Sequence, residues 1–318
     1  MKKEIVSTEK GLALIMVLWV LVMLSIIAMN YLGSSRWEIL STRNLKDETI
    51  SHYLAMSGYH EALFYLMSDK DPSFDYADGA GNFWVDKETT PVTGKRTLEN
   101  SGEMNISILD EDAKININTA PPDRLRKLFA YAGIKDEDLD GIVDSIIDWK
   151  DPDDEHHLSG AESDYYEGLD QPYKAKNGPF DVPEELALVK GLKRDDLSGS
   201  PEVKALLPMI TTFGSGTMNI NTVSTEVMQM MGLEEAEIEA VLKQRNEESG
   251  GFKFVPPQFA AKGLNATATG TVRIIIIART AAGSPSSKIE AVISRQRAGT
   301  GYKTQTLYWR ESAENIRS

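Results

Sequence analysis

One stretch of this chain concentrates acidic side chains that could hold a metal ion. Residues 136–170 contain fourteen Asp or Glu residues and one basic residue, Lys150, so the stretch carries −13 of the formal net charge of −14. Carboxylates at this density repel one another unless water solvates them or a cation bridges them. Ca²⁺ takes about six to eight oxygen ligands and suits such loops, but acidic runs are also common as solvated segments. The composition therefore predicts either a Ca²⁺ site or a solvated acidic loop.

The candidate ligands lie in the loop at about residues 148–177, called the acidic loop below. The spacing is not that of an EF-hand, because no glycine follows at the sixth position from Asp148 or Asp151. The loop also contains Trp149, Tyr165 and Tyr166 and interrupts a repeated helical module. These features favour an ordered, Ca²⁺-binding loop. The predicted ligands are Asp148, Asp151, Asp153 and Glu162, followed by Asp154 and Asp164.

Other residues that could take part in catalysis or metal binding give weaker signals. His156 and His157 are adjacent and cannot share a helix face, so we expect loop residues rather than zinc ligands, which usually come at longer spacing. The chain has no cysteine, which excludes disulfides, thiolate metal sites and cysteine nucleophiles. Gly-x-Ser-x-Gly, phosphate-loop and His-Glu-x-x-His motifs are absent from the sequence. We therefore predict that the protein is not an enzyme; an anchored calcium-dependent hydrolase is an open alternative.

A repeat frames the acidic loop. The tetrapeptide Asn-Ile-Asn-Thr occurs at residues 116–119 and 219–222. After each copy the pattern predicts a helix, a glycine-containing turn and a second helix. The threonine of each copy lies near the predicted helix start, where its hydroxyl can accept a free amide hydrogen bond. The second copy reaches Gly-Gly-Phe at Phe252 after about 30 residues, whereas the first reaches Gly-Pro-Phe at Phe180 after about 60. The first repeat therefore holds an insert of about 30 residues, and that insert is the acidic loop. The predicted helices span 123–131, 136–149, 183–189, 224–231 and 235–245.

The repeats resemble helix-hairpin-helix modules, which often bind DNA backbones. In those modules a Gly-hydrophobic-Gly turn brings bare amides to a phosphate. Here the second glycine is replaced by Lys135, Glu234 and, in a third turn, Lys193. These side chains block the approach, and the acidic stretch repels phosphate. We therefore expect a protein-contact domain and no nucleic-acid partner; a membrane-anchored DNA-uptake protein is the alternative function.

An apolar run near the N-terminus determines how the rest of the chain is placed. Residues 12–29 carry no charge and follow a short charged leader; a helix of this length spans about 27 Å, close to the hydrocarbon thickness of a bilayer. The run is too long for an ordinary secretory signal, whereas a plain single-pass anchor is an open alternative. Helical spacing of apolar residues continues to about Met67, which predicts one helix of about 55 residues ending before Asp71-Pro72.

The C-terminal part predicts antiparallel strands. Residues 271–278, 288–295 and 304–309 are rich in Ile, Val, Thr, Tyr and Trp and are separated by turn residues, which is typical of a three-strand meander. Residues 104–109 alternate as another strand, and residues 83–85 as a short one. A long N-terminal helix with such a sheet is an α+β arrangement.

At its N-terminus the chain resembles a type IV pilin-like precursor. In that family a charged leader ends in Gly, a dedicated peptidase cuts after it, and the mature chain opens a long, half-membrane helix. The matching junction here is Gly11–Leu12. The family usually has Glu at the fifth mature position, where this chain has Met16. A lone carboxylate at membrane depth costs about 2.5 kcal/mol or more unless it is paired. In the family its partner is the amine of the preceding subunit, so a chain without it suits the tip of a fibre.

Together, the Gly11 junction, the missing glutamate, the two Asn-Ile-Asn-Thr repeats and the Asp-Trp-Lys-Asp-Pro-Asp loop resemble the minor pseudopilin K family of type II secretion systems (general secretion pathway protein K). The resemblance implies a pilin-like α+β fold: a long N-terminal helix packed on an antiparallel sheet, with a large all-α insert containing helix-hairpin-helix-like repeats. The implied segments are a prepilin leader 1–11, a transmembrane part 12–31, a pilin-like first part 32–112, a helical insert 113–263 and C-terminal pilin-like strands 264–318.

The resemblance also implies a function. A family member is expected to be a minor pseudopilin at the tip of the pseudopilus, helping to initiate fibre assembly for protein export across the outer membrane. Its expected partners are the minor pseudopilins I and J, the prepilin peptidase and the inner-membrane assembly platform. Its expected cofactor is Ca²⁺ in the helical insert. The chain would cross the Gram-negative inner membrane once, through residues 12–31, with its bulk in the periplasm.

Overall fold

The computed structural model describes residues 9–71, 73–78, 80–85, 91–99, 101–192, 201–246, 250–281, 286–299 and 301–314. The first eight residues of the predicted leader and the predicted turn residue Lys193 lie outside this part of the chain.

One helix, α1, runs over Glu9–Met67 and is 59 residues long. The single long helix predicted from sequence is therefore confirmed. Its apolar N-terminal window has a mean hydropathy of 2.9 and is unburied, so the helix is long and apolar enough to cross a membrane. Its C-terminal part behaves differently, because Leu54, Ala55, Ala62 and Leu66 are buried against a sheet.

The sheet has five antiparallel strands in the order β3-β4-β7-β8-β9. The predicted meander, β7 to β9, and the predicted strand β4 are confirmed. The sequence did not indicate β3, which is polar and half exposed, or the central pairing of β4 with β7. A separate hairpin pairs β1 with β2, where the short strand near residue 83 was expected. The strands are β1 Tyr76–Ala77, β2 Phe83–Trp84, β3 Gly94–Leu98, β4 Gly102–Asp110, β5 Ile115–Asn116, β6 Ile210–Thr211, β7 Thr271–Thr280, β8 Ser286–Ala298 and β9 Gly301–Glu314.

Helix α1 packs on the apolar face of the sheet. Alternation along β4 and β7 directs Ile106, Ile274 and Ile276 towards the helix, where they are fully buried. The helix approaches closely at Gly58, because a Cβ there would lie 2.9 Å from Ile276 Cγ2. This packing is the expected pilin-like arrangement of a long helix on an antiparallel sheet.

Between β4 and β7 the chain forms a helical region with its own hydrophobic core. The two predicted helix pairs are present as α2–α3 and α6–α7. The third predicted helix is a 3₁₀ helix at Pro183–Leu188. Strands β5 and β6 add a short parallel pair that the sequence did not indicate. The helices are α2 Pro122–Tyr131, α3 Asp136–Lys150, α4 Ser163–Glu167, α5 Pro201–Leu206, α6 Thr225–Met230, α7 Glu235–Asn246 and α8 Pro257–Ala260.

The first Asn-Ile-Asn-Thr copy is held by its asparagines. Asn118 Nδ2 donates to the carbonyl of Phe180 at 3.0 Å, and Phe180 N donates back to Asn118 Oδ1 at 2.8 Å. Asn116 Nδ2 donates to the carbonyls of Phe213 and Gly214. We call the Asn118–Phe180 contact the first clamp. It holds the chain that leaves the acidic loop against the start of the repeat.

The second copy repeats this contact. Asn221 Nδ2 donates to the carbonyl of Phe252 at 2.8 Å, and Phe252 N donates back to Asn221 Oδ1 at 2.7 Å; we call this the second clamp. The expectation that the threonines cap the following helices is wrong. Ser224 caps α6 with its side chain, and the hydroxyl of Thr222 donates to Asp110 Oδ2 at 2.6 Å. The cap position of α2 is Pro121, which has no hydroxyl.

The helical region joins the sheet at the end where α1 stops. The chain leaves the sheet at Asp110 and re-enters it at Thr271, and the next residue, Val272, pairs with Asp110. Arg295 of β8 is buried at this junction and donates to the carbonyl of Leu66, near the last turn of α1. The opposite end of the sheet lies beside Ser51, which bonds Ser287 at 2.8 Å. The apolar segment of α1 and the helical region therefore extend from opposite ends of the sheet.

Candidate metal centre

The acidic loop starts at the end of α3, whose last turn is anchored. Lys150 Nζ donates to the carbonyl of Ile117 at 3.1 Å, in the first Asn-Ile-Asn-Thr copy. Burial lowers the pKa of Lys150. At the other end of the loop Phe180 enters the first clamp. The two ends of the loop are thus fixed on the same tetrapeptide.

An aromatic cluster lies beneath the loop. Trp149 is 3% exposed, its ring meets that of Tyr166 edge-on at 5.2 Å between centroids, and it stacks on Phe180 at 6.3 Å. Tyr173 stacks on Tyr166 at 5.2 Å and its hydroxyl donates to the carbonyl of Leu188 at 2.6 Å. Aromatic pairs of this geometry stabilise a core beyond their buried area. They give the loop a rigid base, as its aromatic content suggested.

Asp148 is the most buried carboxylate of the loop. It is fully buried at the end of α3. Its Oδ1 accepts a hydrogen bond from His157 N at 3.1 Å and contacts His157 Nδ1, whereas its Oδ2 has no hydrogen-bond partner among the described residues. Gly160 leaves room for this carboxylate, since a Cβ at Gly160 would overlap Oδ2 and lie 2.7 Å from Cγ. An unpaired buried carboxylate oxygen is costly unless a cation or donor satisfies it.

Asp151 and His157 lie beside Asp148. One potential ligand atom of each of the three residues falls within 4.8 Å of the others. Burial and the nearby Asp153 and Asp148 raise the pKa of Asp151, and the hydrogen bond to Asp148 raises the pKa of His157. Asp151 Oδ1 is buried and unpartnered within the described structure. His157 was expected to be a loop residue, and it was not among the predicted ligands.

Glu162 lies in the middle of the loop and interacts electrostatically with this group. It is 1% exposed, and neither carboxylate oxygen has a partner in the part of the chain that the structure describes. Burial raises its pKa to about 7, with a further contribution from Asp148, Asp151 and Asp154. The structure therefore brings three of the predicted ligands, Asp148, Asp151 and Glu162, into one electrostatic group.

The remaining predicted ligands are exposed, and local contacts engage them. Asp153 Oδ1 accepts from Glu155 N at 2.9 Å. Asp164 pairs with His156 Nε2 at 3.1 Å. Asp154 Oδ1 accepts from Asn177 Nδ2 at 3.0 Å. Asp154 and Asp164 line a groove of about 600 Å³ together with Glu162.

The donor set fits a hard cation. The unpartnered buried oxygens belong to Asp148, Asp151 and Glu162, and Ca²⁺ prefers carboxylate and carbonyl oxygens. A solvated acidic loop would expose these groups, whereas Asp148 and Glu162 are among the most buried side chains of the region. The excess negative charge at the site also raises the pKa of Glu162. A bound cation would remove that repulsion.

The chain is similar in sequence to several known proteins. The family model described as type II secretion system (T2SS), protein K matches residues 102–213. The type II secretion system protein K of Pseudomonas aeruginosa is 26% identical over 261 residues, which cover 77% of this chain and 74% of that protein. The Aeromonas hydrophila protein of the same name is 29% identical over 233 residues, covering 69% and 68%.

A solved structure has the same fold. It is the crystal structure of the GspK-GspI-GspJ complex from the enterotoxigenic Escherichia coli Type 2 Secretion System; the matching chain has a TM-score of 0.55 at 14% identity, covering 87% of this chain and 99% of that chain. The matched residues 102–213 run from β4 through the first repeat and the acidic loop. The chain is therefore similar in sequence to type II secretion system protein K and shares the fold of the matching chain of the GspK-GspI-GspJ complex.

Proposed function

We propose that this chain caps the tip of a pseudopilus and helps to initiate its assembly for protein export. The observation that carries this proposal is the position of the helical region. It extends from the end of the sheet where α1 ends, opposite the apolar segment. A fibre grows by stacking sheets around bundled stems, so a bulky region on top of the sheet leaves no place for a further subunit above it.

The exposed stem supports membrane storage before assembly. Residues 12–32 of α1 are apolar apart from Ser25, Asn30 and the hydroxyl of Tyr31, and they are exposed throughout. In the proposal the prepilin peptidase cuts between Gly11 and Leu12, residues 12–31 cross the inner membrane once, and the sheet and helical region lie in the periplasm. Met16 leaves this stem without the fifth-position carboxylate, which suits the leading subunit.

The proposed partners are the minor pseudopilins I and J and the inner-membrane assembly platform. The solved structure with the same fold is a complex with proteins named GspI and GspJ. In this chain α1 between the membrane segment and the sheet exposes Trp37, Leu40 and Leu45. These apolar side chains are available for helix–helix contacts with other stems. Detergent-solubilised full-length chain should therefore co-purify with I and J.

We also propose that the acidic loop binds Ca²⁺. Asp148, Asp151 and Glu162 would hold the ion, which would supply positive charge to a group of carboxylates that otherwise repel one another. The aromatic cluster beneath the loop and the first clamp hold the loop in its conformation without an ion. Binding would therefore stabilise a preformed loop.

Nucleic-acid binding has no support among the described residues. The first turn of α3 carries Asp136, Glu137 and Asp138, and the first turn of α7 carries Glu235 and Glu237. In a helix-hairpin-helix module these are the positions that a phosphate approaches, and the carboxylates would repel it.

Two experiments test the proposal. Mass spectrometry of full-length protein from cells with the prepilin peptidase should show a mature chain starting at Leu12; a chain that retains Met1 contradicts processing and leaves a plain anchor. Gold-labelled antibodies against the helical region should mark one end of sheared pseudopili. Labelling along the fibre would contradict the tip position.

A further inference from the structure

Arg36 is the first charged side chain after the apolar segment of α1. Residues 12–35 contain no Asp, Glu, Lys, Arg or His, and Arg36 is exposed on the helix. A chain that starts at Leu12 therefore has Arg36 as its first charged side chain. In the proposed topology Arg36 lies on the periplasmic side of the membrane, where the bias of basic residues towards cytoplasmic loops does not favour it. Its position therefore calls for a local explanation.

The continuous helix gives the depth of Arg36 relative to the bilayer. At about 1.5 Å per residue, Arg36 lies about 7 Å beyond residue 31, where the proposed span ends. The headgroup layer on each side of the hydrocarbon core is about 5–7 Å thick. Helical side chains lean towards the N-terminus of their helix, so the side chain of Arg36 leans back towards the span. Its guanidinium group therefore lies at the level of the lipid phosphates.

The helix offers Arg36 no acidic neighbour. Side chains three and four positions away lie on the same face of a helix. Around Arg36 these are Leu32, Gly33, Ile39 and Leu40. Glu38 is only two positions away, but two positions lead to the opposite side of the helix. The guanidinium is therefore free to meet an anion from outside the chain, and phosphate matches its donor geometry.

Trp37 adds an apolar contact at the same depth. It follows Arg36 directly and is 76% exposed. Trp is enriched at membrane–water interfaces, because its ring is apolar and its N–H is polar. The chain as a whole has a formal net charge of −14, so an anionic bilayer repels most of it. Attraction to such a surface therefore has to come from a local group such as Arg36 with Trp37.

We propose that Arg36 binds the phosphate of an anionic phospholipid in the periplasmic leaflet, with Trp37 packed at the level of the headgroups. This inference rests on the proposed storage of the stem in the membrane. The contact would hold the unassembled stem at one depth. It would break when assembly lifts the chain out of the bilayer, and Trp37 would then be available for the stem contacts proposed above.

The test uses the full-length chain, isolated in detergent from cells with the prepilin peptidase. Native mass spectrometry measures binding of phosphatidylglycerol, with phosphatidylcholine of the same acyl chains as the reference lipid. Arg36→Gln should weaken phosphatidylglycerol binding about fivefold, the effect of one basic residue at a membrane surface. Binding of phosphatidylcholine should not change. Arg36→Lys should lose less than Arg36→Gln, because it keeps the charge.

Arg43→Gln is the matched control. Arg43 lies on the same face as Arg36 but about 10 Å further from the membrane, and its Nε is 3.9 Å from Asp47 Oδ2. Its replacement should therefore change phosphatidylglycerol binding by less than about twofold. Equal binding by Arg36→Gln and the unmodified chain would overturn the inference. Displacement of the lipid by millimolar inorganic phosphate would also overturn it, because the site would then recognise any phosphate.

A separate measurement tests the membrane storage itself. The chain has no cysteine, so Ser41→Cys introduces a unique thiol between the proposed span and the sheet. A membrane-impermeant thiol reagent should label it from the periplasm in intact cells with a permeabilised outer membrane. Labelling only after the inner membrane is opened would overturn the proposed topology and the lipid contact with it. Periplasmic labelling without an effect of Arg36→Gln would overturn the lipid contact alone.

Discussion

The two Asn-Ile-Asn-Thr repeats use the same hydrogen bonds and differ in what they enclose. In both, the second asparagine clamps the backbone of a phenylalanine, Phe180 or Phe252. In both, a basic residue near the end of the second helix donates to carbonyls of the tetrapeptide or the residue after it: Lys150 in the first repeat and Arg245 in the second. The clamp is therefore a property of the repeat and does not depend on the acidic loop.

The two repeats differ in the segment that each encloses and in what its first asparagine contacts. The first encloses the acidic loop, and its Asn116 faces backbone carbonyls. The second has only a short connection, but its Asn219 is fully buried against the sheet junction, where Nδ2 donates to Asp110 Oδ2 at 3.1 Å and to Thr269 Oγ1 at 3.0 Å. The same scaffold thus carries the candidate metal centre in one copy and the connection to the pilin-like sheet in the other.

The largest loss of stability is expected on replacing Asn219, and it tests whether the second repeat has its own role at the sheet junction. Replacing Asn219 by Ala should lower the free energy of unfolding by about 4 kcal/mol, because it leaves several buried groups without partners. The matched change Asn116→Ala should lower it by about half as much, since its carbonyl partners lie in a half-exposed turn. Thermal unfolding in detergent with EGTA measures both. Equal losses would show that the second repeat has no special role at the junction.

A second change should affect the first repeat alone. Gly160→Ala places a Cβ against the buried carboxylate of Asp148, and overpacking of this kind costs about 3 kcal/mol. We also expect Ca²⁺ affinity to fall at least tenfold. Gly168→Ala is the control in the same loop, because its Cβ would make only ordinary contacts, with Tyr165 O at 3.5 Å and Asp164 O at 3.6 Å. Calorimetry and melting curves should show a defect in the first variant and almost none in the control.

The contribution of the second repeat's sheet junction to the free energy of unfolding should depend on pH. Burial and the nearby Asp112 raise the pKa of Asp110 to about 7. A raised carboxyl pKa stabilises the fold below about pH 4, and this contribution is lost as pH rises through 7. Unfolding in EGTA should therefore become easier between pH 5 and pH 8, by on the order of 2 kcal/mol. Asp110→Asn should remove much of this slope, and an unchanged slope would place the titration elsewhere.

The smallest expected effect concerns the basic residue of the first repeat. Lys150→Met removes the hydrogen bond to the Ile117 carbonyl and should cost about 1 kcal/mol in EGTA. Lys174→Met is the control, because Lys174 is exposed and its ion pair within the described structure is with the exposed Glu167; it should cost less than about 0.5 kcal/mol. Equal melting temperatures for the two variants would show that Lys150 does not stabilise the scaffold that the two repeats share.

The sequence predicted the elements whose periodicity is set by burial. Helix α1, both helix pairs and the meander follow from the spacing of their apolar residues. This spacing can be read from the sequence without knowing which elements pack together. It could not predict β3, because Lys95 and Arg96 make that strand polar, or the two-residue pair β5–β6, which exists only once the helical region has folded. The threonines of the repeats looked like helix caps, but tertiary contacts at Asp110 engage Thr222 instead.

The candidate site was predictable in composition and not in geometry. The density of carboxylates indicated a cation site, but which of them converge depends on the path of the loop. Asp148 and Glu162 turn inward, whereas Asp153 and Asp164 turn towards local partners.

The pairing of β4 with β7 affects how the chain reaches its native state. Val272 lies opposite Asp110, so this central seam joins residues about 160 positions apart, and closing it costs more chain entropy than forming the local β7–β8 hairpin. Prior collapse of the helical region shortens that effective loop. Until the seam closes, one edge of β4 leaves its backbone groups unpaired, so the order in which the helical region and the sheet fold determines how long that edge stays open.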